Sequence, residues 1–156
     1  MNKQALSQFL FDLNQAGFGS GEEKKWLKES DGSTSIPYQK GDWQSHDNFF
    51  GGEPYGGRII VSYKNKPVWM MIYYGFVKES IKPDLVYAIL KKALMKMPKE
   101  APFRGPKKFE DSGLLYLNKW VGDVKNYSGE EQIFQGEKMI YKANYMGGLV
   151  DQQAGA

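Results

Sequence analysis

The chain has no cysteine in its 156 residues. That excludes disulfides, thiolate metal ligation and a cysteine nucleophile. Histidine occurs once, at His46. Asp47 and Glu53 stand near it, but zinc centres ordinarily take three protein ligands and commonly more than one histidine, so no metal is expected. A nucleophile elbow of Gly-x-Ser-x-Gly type is missing. "GFGSGEEK" lacks the Gly-Lys-Ser/Thr ending of a phosphate loop, so no nucleotide or other cofactor is expected. No apolar run approaches the length of a membrane span, and "MNKQALSQFLFDLNQ" is too polar for a secretory leader. One-sided charge is also missing: 21 Lys+Arg stand against 18 Asp+Glu. The clusters Lys24, Lys25, Lys28 and Arg104, Lys107, Lys108 fall short of the basic stripe of a nucleic-acid binder. These absences describe a soluble cytoplasmic protein that works without membrane or nucleic acid.

Aromatic residues are abundant, at 15% of the chain. They recur in a pattern. "YGGRIIVSYKNKPVWMMIYYG" from Tyr55 lies without a gap over "YSGEEQIFQGEKMIYKANYMG" from Tyr127. Tyr55 meets Tyr127, Gly57 meets Gly129, Val61 meets Ile133, Val68 meets Ile140, Trp69 meets Tyr141, Tyr73 meets Tyr145 and Gly75 meets Gly147. Both stretches read as β-hairpins from their β-branched and aromatic content. Each follows a helix of i, i+3, i+4, i+7 spacing. The first carries Leu6, Phe9, Leu10 and Leu13 and ends near Gly17; the second starts at Pro83 and carries Val86, Ile89, Leu90 and Ala93. "IPYQKGDW" reads as a short strand into a turn, "SHDNFFGGEPYGG" as a structured loop or bulged strand entry, and 22–28 as a helical turn. "KEAPFRGPKKFEDSG" reads as a connection, "LLYLNKW" as a strand and "DQQAGA" as a frayed tail. The spacing therefore predicts a single α+β domain over 1–156. It is a tandem αβββ repeat, about 4–77 and 82–150, with antiparallel sheet, two main helices on one face and a pseudo-two-fold axis.

Strand alternation puts Trp69 and Tyr73 on one face, and likewise Tyr141 and Tyr145. Tyr127, Gly129, Glu131 and Ile133 share a face too, so a carboxylate stands in line with a tyrosine and an isoleucine and is expected to be half-buried. Arg104, braced by the prolines of "PFRGP", suits a carboxylate partner or an anion. The expected ligand-binding set is Tyr55, Trp69, Tyr73, Arg104, Tyr127, Glu131, Tyr141 and Tyr145. Trp69, Tyr73, Tyr141 and Tyr145 should border one cavity with Glu131 at its edge.

The stretch Gly41–Gly75, "GDWQSHDNFFGGEPYGGRIIVSYKNKPVWMMIYYG", resembles a bacterial and archaeal family known as domain of unknown function 5680, and "PFRGP", "VGDVKNYSGEEQI" and "YKANYMGG" continue the likeness. The resemblance covers about Tyr38 to Val150 and implies no established activity. Some members carry an N-terminal helix-turn-helix segment, which is not expected on this chain. Ile59 stands where the family pattern tends to have an acid, whose second-half equivalent is Glu131. Ile72 stands where an Asn is common.

The reading is a non-enzymatic, effector-like binding domain. It takes a small organic molecule, cationic or aromatic, in an aromatic pocket between the two repeats. By fold analogy it is similar to effector-binding domains of multidrug-responsive regulators. One alternative is a hydrolase or isomerase using acids beside the glycine turns: Asp42, Asp47, Glu53, Asp123, Glu130 and Glu131. Another is a protein-interaction module that uses an exposed aromatic hairpin surface, with a homodimer as one form.

Overall fold

A computed structural model describes residues 1–18 and 26–153. The glycine-rich stretch at 19–25 and the last three residues lie outside them, and with them most of the expected turn at 22–28. The sequence patterns above become helices α1 (Lys3–Phe18) and α2 (Pro83–Leu94). They also become strands β1 (Leu27–Lys28), β2 (Thr34–Lys40), β3 (Trp43–Phe50), β4 (Tyr55–Tyr63), β5 (Lys66–Val77), β6 (Lys108–Asp111), β7 (Leu114–Asp123), β8 (Asn126–Gln135) and β9 (Lys138–Leu149). All the strands join one antiparallel sheet in the order β1-β2-β3-β4-β5-β9-β8-β7-β6. No helix among the described residues is long and apolar enough to cross a membrane.

Four strands longer than β1 follow α1, and four strands follow α2, where three each were expected. Strands β3 and β6 were missed, and so was β1: Leu27–Lys28 pairs with β2 where the end of a helical turn was expected. Its glycines and proline made "SHDNFFGGEPYGG" read as a structured loop or bulged strand entry, yet Ser45, Asp47 and Phe49 alternate with His46 and Asn48 and pair on both sides, with β2 and with β4. The inward Asp47 finds a hydroxyl partner in Tyr73, as buried polar groups require. Strand β6 is a short edge strand inside the Pro- and Gly-punctuated connection.

The two long hairpins pair alike. Tyr55 faces Gly75 and Gly57 faces Tyr73 in one; Tyr127 faces Gly147 and Gly129 faces Tyr145 in the other. Each carries a register shift at the matching place, Val61/Ser62 and Ile133/Phe134. They meet edge to edge at β5 and β9, where Tyr73 pairs directly with Tyr145. This explains the repeated tyrosines and glycines. A tyrosine ring lies across each glycine opposite, an arrangement that shields the bare backbone. A Cβ on Gly75 would come within 2.6 Å of the Tyr55 hydroxyl, and one on Gly129 within 2.1 Å of the Tyr145 ring.

Both helices cover the same face. Leu6, Phe9 and Leu10 of α1 pack with Val61, Trp69, Met71 and Tyr127, while Val86, Ile89, Leu90 and Ala93 of α2 pack with Tyr116, Ile133 and Tyr141. The other face carries Ile72, Tyr74, Val121 and Met146, all exposed.

The close approach at the sheet centre yields a prediction. A Cβ at Gly147 would meet the Met70 carbonyl oxygen at 2.0 Å, whereas at Gly52 it would meet nothing within 4 Å. Urea denaturation should show Gly147→Ala destabilised by about 1–3 kcal/mol, the usual cost of overpacking, with Gly52→Ala within about 0.5 kcal/mol of the parent.

Candidate functional site

A cleft of about 1030 Å³ opens between the two helices and the sheet. Leu10 and Leu13 of α1, Leu90 and Leu94 of α2, and Ile59 and Met71 of the sheet give it apolar walls. Its size lies at the upper end of small-molecule sites. Polar groups enter at a few points. Asp47 of β3 accepts a hydrogen bond from the Tyr73 hydroxyl of β5 at 2.5 Å. Arg104, on the segment before β6, and Tyr55 of β4 also line the cleft.

Arg104 is held from below. Its Nε donates to Glu131 Oε1 at 2.6 Å, with the arginine side chain 15% exposed and the glutamate 0%. The second carboxylate oxygen accepts the Tyr116 hydroxyl. The same hydroxyl accepts the Gly105 N–H at 3.1 Å. Asn118 Nδ2 donates to the Gly105 carbonyl at 2.9 Å, and Asn118 Oδ1 accepts the Tyr145 hydroxyl at 2.8 Å. Phe103, beside Arg104, stacks on Tyr127 with centroids 4.2 Å apart, and Tyr127 stacks in turn on Trp69. The "PFRGP" segment is thus stitched to β7 and β8 from both sides of the arginine.

Electrostatics keep these groups in fixed states. Burial works against the Arg104 charge, but Glu131 together with the neighbouring Tyr55, Tyr141 and Tyr116 more than offsets it and holds the guanidinium well above its ordinary value. Burial raises the Tyr55 hydroxyl; Arg104 opposes the rise and Glu131 adds to it. Burial, followed by the neighbouring Asp47 charge, pushes Tyr73 up strongly. Tyr116, Tyr127, Tyr141 and Tyr145 are likewise raised, burial being the largest cause in each. Every one of these hydroxyls is therefore neutral near pH 7. They keep their protons and can serve as hydrogen-bond donors.

Of the eight residues expected at the site, Tyr55, Trp69, Tyr73 and Arg104 line the cleft. Tyr141 is fully buried behind it, its hydroxyl 2.5 Å from that of Tyr55. Tyr127 and Tyr145 belong to the packed core beneath α1. The four rings Trp69, Tyr73, Tyr141 and Tyr145 thus do not share one cavity. Glu131 is fully buried, not half-buried at an edge, and is spent on Arg104 and Tyr116, which leaves it no face towards a ligand. His46 and Asp47 point to opposite faces of the sheet, as neighbours in a strand do. Glu53 accepts from the Val77 N–H at 2.5 Å and from the Tyr87 hydroxyl, so it braces α2 against β5.

Sequence reasoning missed Tyr116, Asn118 and Tyr87. For Asn118 a signal existed: in "LLYLNKW" it alternates with Tyr116 and Trp120 on the inward face, and an inward Asn in a strand calls for a partner.

A family model described as Domain of unknown function (DUF5680) matches residues 47–150, two thirds of the chain, and the protein belongs to that family. No curated protein and no solved structure matches it.

The buried pair is testable by itself. Removing one partner strands a charge, so Glu131→Ala should lose about 3–5 kcal/mol in chemical denaturation. Arg104→Met combined with Glu131→Leu removes both charges and should lose less than Glu131→Ala alone.

Proposed function

We propose that the cleft between the helices and the sheet is a binding site for one small, largely apolar organic molecule, and that the protein acts as a binding domain without catalysing a reaction. The observation that carries this is the cleft itself: apolar walls, a size suited to a small ligand, and Asp47, Tyr73, Tyr55 and Arg104 converging on it. Its lining comes from both halves of the sequence pattern, Tyr55 and Tyr73 from the first and Leu90 and Arg104 from the second. This fits a tandem duplication about a pseudo-two-fold axis running between Tyr73 and Tyr145. The shared hairpin register and the matching register shifts support that view. Neutral tyrosine hydroxyls and a carboxylate already bonded to Tyr73 favour holding a ligand over acid–base turnover.

Native mass spectrometry of protein taken directly from cells should show a non-covalent small-molecule adduct. Nile red, a neutral apolar dye, should bind the emptied protein with a blue-shifted emission. Ile59→Trp fills the cleft with a larger ring. It should weaken dye binding at least about tenfold, the scale of roughly 1.4 kcal/mol, while circular dichroism stays that of the parent. Unchanged dye binding in this variant would place the ligand elsewhere.

A second reading, a homodimer, is favoured by one observation: Ile72, Tyr74, Val121 and Met146 are all more than 40% exposed on the uncovered face of the sheet. Apolar surface gathered in this way marks interfaces. Light scattering after size exclusion should give twice the chain mass at micromolar concentration, falling to the chain mass on Ile72→Lys. A monomer at all concentrations would end this reading.

A further inference from the structure

We infer that the ligand of the cleft is a monoanionic apolar acid whose carboxylate is received by the Arg104 guanidinium and the Tyr55 hydroxyl. This rests on the reading of the cleft as a ligand site and adds the chemistry of the ligand's polar end.

The first argument counts protons. The hydroxyls of Tyr55 and Tyr141 are 2.5 Å apart, so one proton lies between them and a second must point elsewhere. Tyr141 is 0% exposed, while Tyr55 lines the cleft. If Tyr55 donated to Tyr141, the remaining proton would sit on a buried hydroxyl that has no other hydrogen-bond partner among the described residues. Burying a donor unsatisfied is costly. The favoured arrangement has Tyr141 donating to Tyr55 and Tyr55 donating into the cleft. Burial keeps Tyr55 protonated, so the donor persists at neutral pH.

The second argument concerns Arg104. A guanidinium has five N–H donors. Nε donates to one Glu131 oxygen, and the carboxylate's other oxygen is taken by Tyr116. One further donor is turned to the Tyr55 oxygen, which sets the two groups side by side, and the terminal amino groups still hold donors beyond these, on a residue that lines the cleft. Two donors from different elements therefore converge, and the group that satisfies both is an acceptor with two oxygens. Planar two-oxygen acceptors are what the arginine fork binds best.

The third argument is charge. Among the described residues, the cleft is lined by Lys28, Lys91 and Arg104 against Asp47, with Glu131 directly behind. One positive charge is left over, and a monoanion neutralises it. The acids are poor receivers of a cation: Glu131 is enclosed, and Asp47 Oδ1 is held by Tyr73. The walls formed by Leu13, Ile59 and Leu94 accommodate an alkyl or aryl body.

The test uses three probes with the same ten-carbon chain: decanoate, decanol and decyltrimethylammonium. Each is titrated below its micelle concentration, with Nile red displacement as the readout and Trp69 emission as a second signal from the cleft wall. Decanoate should bind at least about tenfold tighter than decanol, as expected of a charge-assisted pair of hydrogen bonds, with the ammonium weakest. Tyr55→Phe should cut the preference for decanoate over decanol about tenfold while leaving decanol within about twofold. Arg104→Lys keeps a counter-charge for Glu131 and should also lower decanoate affinity through loss of the fork. If Nile red binds but decanoate fails to displace it, or the ammonium or decanol binds as tightly as decanoate, the head-group inference is overturned and the cleft reading stands. If neither Nile red nor any probe binds the wild type, both fall.

Discussion

The Arg104–Glu131 ion pair is the constraint around which the second half of the molecule is arranged. A fully enclosed carboxylate cannot stand without a counter-charge and further hydrogen-bond donors. Glu131 obtains the charge from a connecting segment and the extra donor from Tyr116 on the adjacent strand. That requirement fixes the path of "PFRGP" over the sheet, and Asn118 and Phe103 then tie the segment down on either side of the arginine. Such a pair need not add net stability over an apolar replacement. Its effect here is positional: it sets a guanidinium at the wall of an otherwise apolar cleft and holds it there.

The tyrosine–glycine pairs impose a second constraint, on the sheet. Where a ring lies across a glycine on the opposite strand, no side chain competes for that space, so the ring can lie flat against the backbone. Tyr55 over Gly75 and Tyr127 over Gly147 repeat this in the two hairpins. Tyr73 and Tyr145, set over Gly57 and Gly129, then face each other across the seam between β5 and β9. The hydroxyl ends of these rings reach sideways to polar partners. That is how so many tyrosines are buried while only Ser45 Oγ is left, among the described residues, as a buried side-chain polar atom without a hydrogen-bond partner.

The hairpins and both helices were legible because their signals are local: alternation, i/i+4 spacing, a proline at a helix start. The seven matched positions carried the glycine–tyrosine pairing as well, since cross-strand partners in a hairpin are near in sequence. Strand β3 was not legible. Its inward Ser45 and Asp47 break the apolar alternation, and the hydroxyl that meets Asp47 comes from β5, which no local window contains. Glu131 stood out as an acid among inward residues, and Arg104 as an arginine braced for a carboxylate. That the two belong together, and that the glutamate is consequently closed off from solvent, depends on how a loop crosses two strands. The rings divided for a similar reason. Alternation assigns a face, but the helices decide which parts of that face are filled and which remain a cleft.

The two long hairpins pair in the same register and differ in where the neighbouring acid sits. In the first, Tyr73 donates to Asp47, and the residue paired with Asp47 on β4 is Ile59. In the second, Tyr145 donates to Asn118, and the residue paired with Asn118 on β8 is Glu131. The same tyrosine–acceptor bond is thus made twice, but the carboxylate sits on the acceptor strand in one half and on its neighbour in the other. Glu131 drags an arginine and a loop over itself, which closes the second half. Ile59 needs no partner, so nothing is drawn over it, and its side chain becomes cleft wall. The open cleft wall in one half and the covered acid in the other therefore follow from an isoleucine and a glutamate at matching positions, and the arginine recruited by the glutamate supplies the charge at the edge of the cleft.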